Sequence, residues 1–166
     1  MFYTVFDTAA GWVGVLGSIR GLCLATLPQR TERAVYDILG NSLKNAVAAP
    51  QRLGDLIERY RAYFSGNQVE FTDVLDLDGA TPFQRTVWMV TQQIPYGQTR
   101  NYAWVAEQAG HPRAVRAVGQ ALARNPLPVI IPCHRVLSSD GGPGGFSGGL
   151  AMKRFLLKLE ADPAKD

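Results

Sequence analysis

Cysteine and histidine are scarce in this chain: two of each among 166 residues, Cys23, Cys133, His111 and His134. Spaced singly, they do not supply the close ligand pairs of a structural zinc site, and they exclude a framework of several disulfides, leaving one bridge at most. Charge is thin as well, 19 % of residues against 46 % hydrophobic, which excludes a disordered, highly charged tail. No apolar run reaches the roughly 18 residues of a membrane span, and no basic, apolar, cleavable leader is legible. The expectation is a cytoplasmic globular protein of one domain or two small ones.

What charge there is lies unevenly. Residues 1–80 hold seven Lys and Arg against nine Asp and Glu, net -2, whereas residues 81–166 hold ten against five, net +5. A positive surface concentrates polyanions, so any nucleic-acid contact belongs to the second half. The first half mixes aromatic and branched residues over 2–5, 12–16 and 21–26 with glycine at the breaks, predicting short antiparallel strands. Thr31 and Glu32 open a charged, partly periodic segment to Leu43, and Leu53, Leu56, Ile57 and Tyr60 form the buried stripe of an amphipathic helix. An acidic linker or exposed strand over 73–80 then leads to Thr81-Pro82, an N-cap with proline in the first turn. Two domains are expected, 1–78 and 79–166.

In the second domain, residues 83–94 read as a helix that stops before Pro95. Residues 101–108 read as a short helix with Trp104 and Val105 inward; Gly110 and Pro112 break it, and helical spacing resumes after Arg113 to Asn125. The pair is a plausible helix-turn-helix. Its second helix is built from Ala114, Ala117, Gly119 and Ala121 with Arg116 as the one long cation among them. Small residues permit intimate contact with a groove floor but carry little base readout, which favours the minor groove, with an arginine available to fill the gap left by an extruded nucleotide. Tight helix packing explains the same small residues.

An apolar stretch over 127–131 then delivers Pro132-Cys133-His134-Arg135. A cysteine leaving a buried element beside imidazole and guanidinium stands where a thiolate can be stabilised; an inert core cysteine is the alternative. Residues 138–149 are rich in glycine and lack the Lys-Ser/Thr ending of a phosphate loop, so they serve either as a flexible loop or as main chain passing close over a planar ligand. A last helix over 150–160 is expected to turn Phe155, Leu156 and Leu159 inward and to offer Lys153, Arg154 and Lys158 to solvent or phosphate. Glu160 sits at a helix C-terminus, where a cation is favoured, so a local partner is expected, His134 being the obvious one.

The run Pro132-Cys133-His134-Arg135-Val136, with Asn125-Pro126 and Arg113-Ala114-Val115-Arg116-Ala117-Val118-Gly119 before it and Ser147-Gly148-Gly149 and Leu156-Leu157-Lys158-Leu159-Glu160 after it, resembles the O6-alkylguanine-DNA alkyltransferase family. The resemblance is close over about 82–160 and holds only in outline before that. It implies a small ribonuclease-H-like sheet domain (α/β) followed by a mostly helical domain with a helix-turn-helix. It implies binding of double-stranded DNA through the minor groove, extrusion of the damaged nucleotide, and transfer of the alkyl group from guanine O6, and from thymine O4 as well, to Cys133. By the same resemblance His134 takes the thiol proton through a water, Glu160 polarises His134, Asn125 braces the recognition helix against the active-site strand, Arg116 replaces the extruded base and Tyr102 helps turn the adjoining phosphate. Ala114, Ala117 and Gly119 would lie on DNA, while Arg135, Val136, Gly144, Phe146, Ser147 and Gly148 would shape the base pocket. No cofactor, metal or obligate protein partner is implied, and a monomer is expected.

Two departures stand out. Phe146 occupies a position where the family commonly carries tyrosine, removing a donor for the leaving group, and no histidine precedes His111, which argues against the N-terminal zinc of some relatives. Three other readings compete: a lesion binder without chemistry, though such relatives replace the cysteine; a small cysteine hydrolase using Cys133, His134 and Glu160; and a transcriptional regulator using the helix pair alone.

Overall fold

Phe2–Thr8 (β1) turns Thr4 and Phe6 inward on alternate positions and pairs antiparallel with Gly11–Ser18 (β2), Phe2 opposite Gly17 and Thr8 opposite Gly11. The Thr8 hydroxyl closes the turn between them, donating to the Gly11 carbonyl at 2.7 Å and accepting the Ala10 N–H. Gly21–Ala25 (β3) flanks β2, and the two-residue strand Val47–Ala48 (β4) adds to β1 in parallel, giving the order β3-β2-β1-β4. The computed structural model describes residues 1–162, which sort into two compact units, Met1–Asp78 and Gly79–Asp162.

In the first unit β2 is buried over residues 13–17, and Glu32–Leu39 (α1) packs on it. At Gly14 a Cβ would stand 2.5 Å from Val35 Cγ1, so the close approach of α1 requires glycine there. Thr31 caps α1 through the Ala34 N–H, and the charged segment beyond Leu39 finishes as a single 3-10 turn, Gly40–Leu43. Gly54–Phe64 (α2) buries Leu56, Ile57, Tyr60, Tyr63 and Phe64. The Tyr60 ring lies 5.6 Å from Phe6 and 5.1 Å from Phe71, and such pairs contribute about 1 kcal/mol each beyond their burial. The expected linker does more than connect: Val74 and Asp76 exchange backbone hydrogen bonds with Leu22 along β3.

The second unit is mostly helical. Pro82–Gln92 (α3) opens with a reciprocal capping box between Thr81 and Gln84. Tyr102–Gln108 (α4), capped by the Asn101 side chain, and Val115–Ala123 (α5) form the helix-turn-helix, with Gly110 and its φ of 79° in the break. Trp88 seats α5 on α3 by donating its indole N–H to the Ala121 carbonyl at 2.9 Å. A two-stranded parallel pair, Arg100–Asn101 (β5) with Val136–Leu137 (β6), precedes the final helix, Leu150–Ala161 (α6). No helix among the described residues is long and apolar enough to cross a membrane.

The phase of α6 corrects the sequence reading. Its buried positions are Lys153, Leu156 and Glu160, while Phe155 is 40 % exposed and Leu159 half-buried. Lys153, expected at solvent or phosphate, is fully enclosed. Hydrophobicity alone put the inward stripe on Phe155; two buried charges with polar partners set it instead.

Candidate active site

Between α5 and the turn that carries Cys133, the chain has little freedom. Pro126, Pro128 and Pro132 each fix φ, and Leu127, Val129, Ile130 and Ile131 are buried. Val129 is held at a φ of 76°, in the left-handed region that a β-branched side chain resists at a cost of about 1 kcal/mol or more. Pro132, with φ -80° and ψ 62°, forms an inverse γ-turn in which the Cys133 N–H donates to the Ile131 carbonyl at 2.7 Å. Asn125, just beyond α5, clasps the segment: its Nδ2 donates to the Ile131 carbonyl at 2.8 Å and to Cys133 Sγ at 3.1 Å, while its Oδ1 accepts the Leu127 N–H at 2.9 Å.

Cys133–Arg135 is one 3-10 turn, and its three side chains diverge. Cys133 points into a cavity of about 580 Å³ whose walls include Tyr102, Arg116, Gly119, Phe146 and Ser147. His134 is fully buried, its Nε2 2.7 Å from Glu160 Oε1. Arg135, expected at the base pocket beside a thiolate, instead turns to Glu160, meeting Oε2 through Nε at 2.9 Å and Oε1 through Nη2 at 2.9 Å. Its remaining nitrogen, Nη1, donates to the Ile94 carbonyl at 2.7 Å, and the Gly97 N–H donates to Glu160 Oε2. Both cysteines are thiols, Cys23 lying in the other unit.

The remaining expected residues divide. Tyr102 stands at the start of α4, and its hydroxyl donates to the Gly145 carbonyl at 3.3 Å. Gly144, with φ 67°, passes so close beneath that ring that a Cβ would lie 2.7 Å from the Tyr102 oxygen, so the loop can cross there only as glycine. Exposed Arg116 and half-buried Gly119 line the cavity from α5, together with Val115, Gln120 and Leu122, which the sequence reading did not single out. Ala114 belongs to a second, open cleft with His111 and Arg113 at the helix-turn-helix break, and Ala117 lies on α5 outside the cavity lining. Val136 is buried and meets the site through its carbonyl; Gly148 is exposed and away from the lining.

The residue that sequence reasoning missed is Lys153. Its ammonium donates to the Val136 carbonyl at 2.6 Å and the Gly145 carbonyl at 3.2 Å, and lies 5.8 Å from the Tyr102 ring centre and 5.9 Å from that of Phe146. It ties the glycine-rich loop to the turn after Cys133. A lysine at i+3 before Leu156 and i+7 before Glu160 was the available signal, since it shares their helix face.

Electrostatics explain which group must act. Burial pushes the Cys133 thiol above its ordinary range, against the Asn125 hydrogen bond and the Lys153 charge, so the sulfur rests protonated and a thiolate forms only when a base takes its proton. Burial likewise holds His134 below its ordinary value, Glu160 opposing and the Arg135 and Lys153 cations assisting. Glu160 stays charged: its hydrogen bonds from His134 and Arg135 outweigh desolvation and hold the carboxyl well below the usual range. Lys153 is lowered by burial, with Cys133 opposing. Among the described residues no His, Cys, Asp and Glu cluster has the makings of a metal site.

A mixed-sheet unit is followed by a helical unit that carries a helix-turn-helix, a buried cysteine and a buried His-Glu pair. Known proteins share this arrangement. Residues 82–162 match the family model for the 6-O-methylguanine DNA methyltransferase DNA-binding domain. The chain is 39 % identical over 160 residues to the methylated-DNA–protein-cysteine methyltransferase of Methanosarcina barkeri, covering 96 % of this chain and 97 % of that protein. It is 40 % identical over 157 residues to that of Mycobacterium tuberculosis, covering 95 % and 87 %. The structure of Mycobacterium tuberculosis OGT in complex with DNA superposes with a TM-score of 0.82 at 35 % identity, over 97 % of this chain and 93 % of that one. This chain therefore belongs to the methylated-DNA–protein-cysteine methyltransferase family.

Proposed function

We propose that the protein repairs O6-alkylguanine, and O4-alkylthymine with it, in duplex DNA by moving the alkyl group irreversibly onto Cys133. The observation that carries this reading is the thiol at the floor of an open cavity, 3.1 Å from an amide donor and one residue from a buried His-Glu pair. Because the resting sulfur is protonated, a base must act first. With Nε2 committed to Glu160, the thiol proton passes through a bridging water to Nδ1 of His134, and Glu160 steadies the imidazolium that results.

The S–C bond then forms in line as the C–O6 bond breaks, and the proton held by His134 returns to the departing guanine. The walls supply orientation: Phe146 offers a stacking face, while Ser147 and backbone N–H groups of the glycine-rich loop are the donors at hand for the leaving base. Arg116, exposed at the mouth, fills the place of the extruded nucleotide, and the small residues of α5 let the helix settle in the minor groove with little sequence preference. The thioether product is stable, so one molecule repairs one lesion.

Intact-protein mass after incubation with excess duplex bearing one O6-methylguanine tests the reading. A single methyl adduct on Cys133, absent in Cys133→Ser, with stoichiometric loss of the lesion, is expected. Unmodified protein that holds the duplex would overturn it in favour of a lesion binder.

A further inference from the structure

We propose that Arg135 is the positioning residue that, by taking up the charge of Glu160, lets burial keep His134 in its neutral, proton-accepting form. The inference rests on the alkyl-transfer reading above, and it reassigns a residue that the sequence placed in the base pocket.

The geometry carries the argument. Glu160 is shared: Oε1 meets His134 Nε2 at 2.7 Å and Arg135 Nη2 at 2.9 Å, and Oε2 meets Arg135 Nε at 2.9 Å and the Gly97 N–H at 3.2 Å. The guanidinium is fixed from a third side by the Ile94 carbonyl and lies 5.8 Å from the Tyr96 ring centre. A buried carboxylate facing imidazole alone would draw a proton onto the ring and form an ion pair, and a histidine already protonated cannot accept the Cys133 proton. Guanidinium is charged at every relevant pH and fits the carboxylate as a fork, so it neutralises Glu160 first. Among the described residues, the titratable and charged groups around His134 include Glu160 and Lys153 from α6, Arg135 and Cys133 from its own turn, and Tyr96 beyond α3 through Glu160. Among the described residues, a resting imidazolium would set three cations, His134, Arg135 and Lys153, against the Glu160 anion.

During activation the S–H bond breaks and an N–H bond forms at Nδ1. The cluster gains one positive and one negative charge together, so its net charge does not change. Glu160 then serves the imidazolium only while the thiolate exists. Arg135 thus makes the pair a base at rest without removing the carboxylate that stabilises the acid form.

Only two histidines are present, and exposed His111 serves as an internal reference, so long-range 1H–15N NMR of the full chain without DNA reads His134 directly. The wild type is expected to show the neutral Nε2–H tautomer between pH 8 and pH 6. In Arg135→Met the midpoint of His134 should rise by at least about one pH unit, and alkyl transfer should fall about tenfold for each pH unit below the raised midpoint and recover as pH is raised above it. Arg135→Lys, which keeps the charge but not the fork, should shift less. An imidazolium at rest in the wild type overturns the proposal, as does a neutral His134 in folded Arg135→Met. So does a rate loss that is the same at every pH, the mark of a merely structural role. If Arg135→Met does not fold, the wild-type tautomer and Arg135→Lys decide. The imidazole signal needs no lesion, so a failure of methyl transfer in the mass experiment is separable from a failure here.

Discussion

The two units handle charge in opposite ways. In the first, arginines pair mostly at the rim, Arg61 with Asp7 and Glu58, Arg33 with Asp37 in a largely solvent-exposed pair, and Arg59 with exposed Asp55, while the fork of Arg59 on Asp73 is half-buried. Its interior is the aromatic packing around Tyr60. In the second, Lys153, Arg135, Glu160 and His134 are inside. Rim pairs contribute little, whereas interior charges destabilise a fold relative to well-packed apolar residues of the same volume. In a chain with so few charged residues, the enclosure of a lysine, an arginine, a glutamate and a histidine together marks the second unit as the candidate reaction centre without reference to any relative.

The largest test of this contrast is Glu160→Gln. It leaves the Arg135 cation enclosed without its counter-ion, and a stability loss of about 3 kcal/mol by urea unfolding is expected, with transfer slowed at least about a hundredfold. Arg33→Ala, at the rim, should leave the urea midpoint unmoved. Equal effects of the two substitutions would erase the distinction between the units.

Acid should act next, and on the second unit first. His134 is held below its ordinary value of 6.5 in the folded state, so below that pH the unfolded chain binds more protons and stability falls as pH falls; above it the contribution is complete. Glu160, also lowered, adds a loss of the same sign below its ordinary 4.5. The first unit's carboxylates Asp7 and Asp76, lowered by Arg61 and by Ser18 respectively, respond only below 3.8. A urea midpoint that drops between pH 7 and pH 5, by about 1 kcal/mol in stability, is expected; a flat midpoint would contradict a histidine buried neutral.

The smallest effect is expected at Phe146→Tyr. Restoring a hydroxyl beside the departing base should speed single-turnover transfer about fivefold, the worth of one hydrogen bond of about 1 kcal/mol. Equal rates would show that Ser147 and the loop N–H groups already meet the need.

Much of this molecule was readable from its residues, and the exceptions are physical. The stripe Leu53, Leu56, Ile57 and Tyr60 is buried, Thr81-Pro82 opens α3 with a reciprocal cap, and Glu160 meets His134. These depend on neighbours in sequence or on a lone acid in need of a partner. β4, β5 and β6 are two residues long each, too short for any period to register, and exist through pairing with distant chain. The direction of Arg135 was hidden because a 3-10 turn sends successive side chains about 120° apart, so a residue two places from Cys133 in sequence turns away from it in space. Lys153 was misplaced because a scale of hydrophobicity assigns every lysine to water, while this one finds two carbonyl oxygens and two aromatic faces.

Val129 bears on anyone who would engineer this protein. Glycine at that position would relieve a disfavoured backbone geometry at the expense of a buried side chain, and selection for heat resistance alone has reason to sample it. Yet the same kink, between prolines, sets the direction from which the chain reaches the nucleophile. Directed evolution for robustness and directed evolution for reactivity would therefore pull this one residue apart.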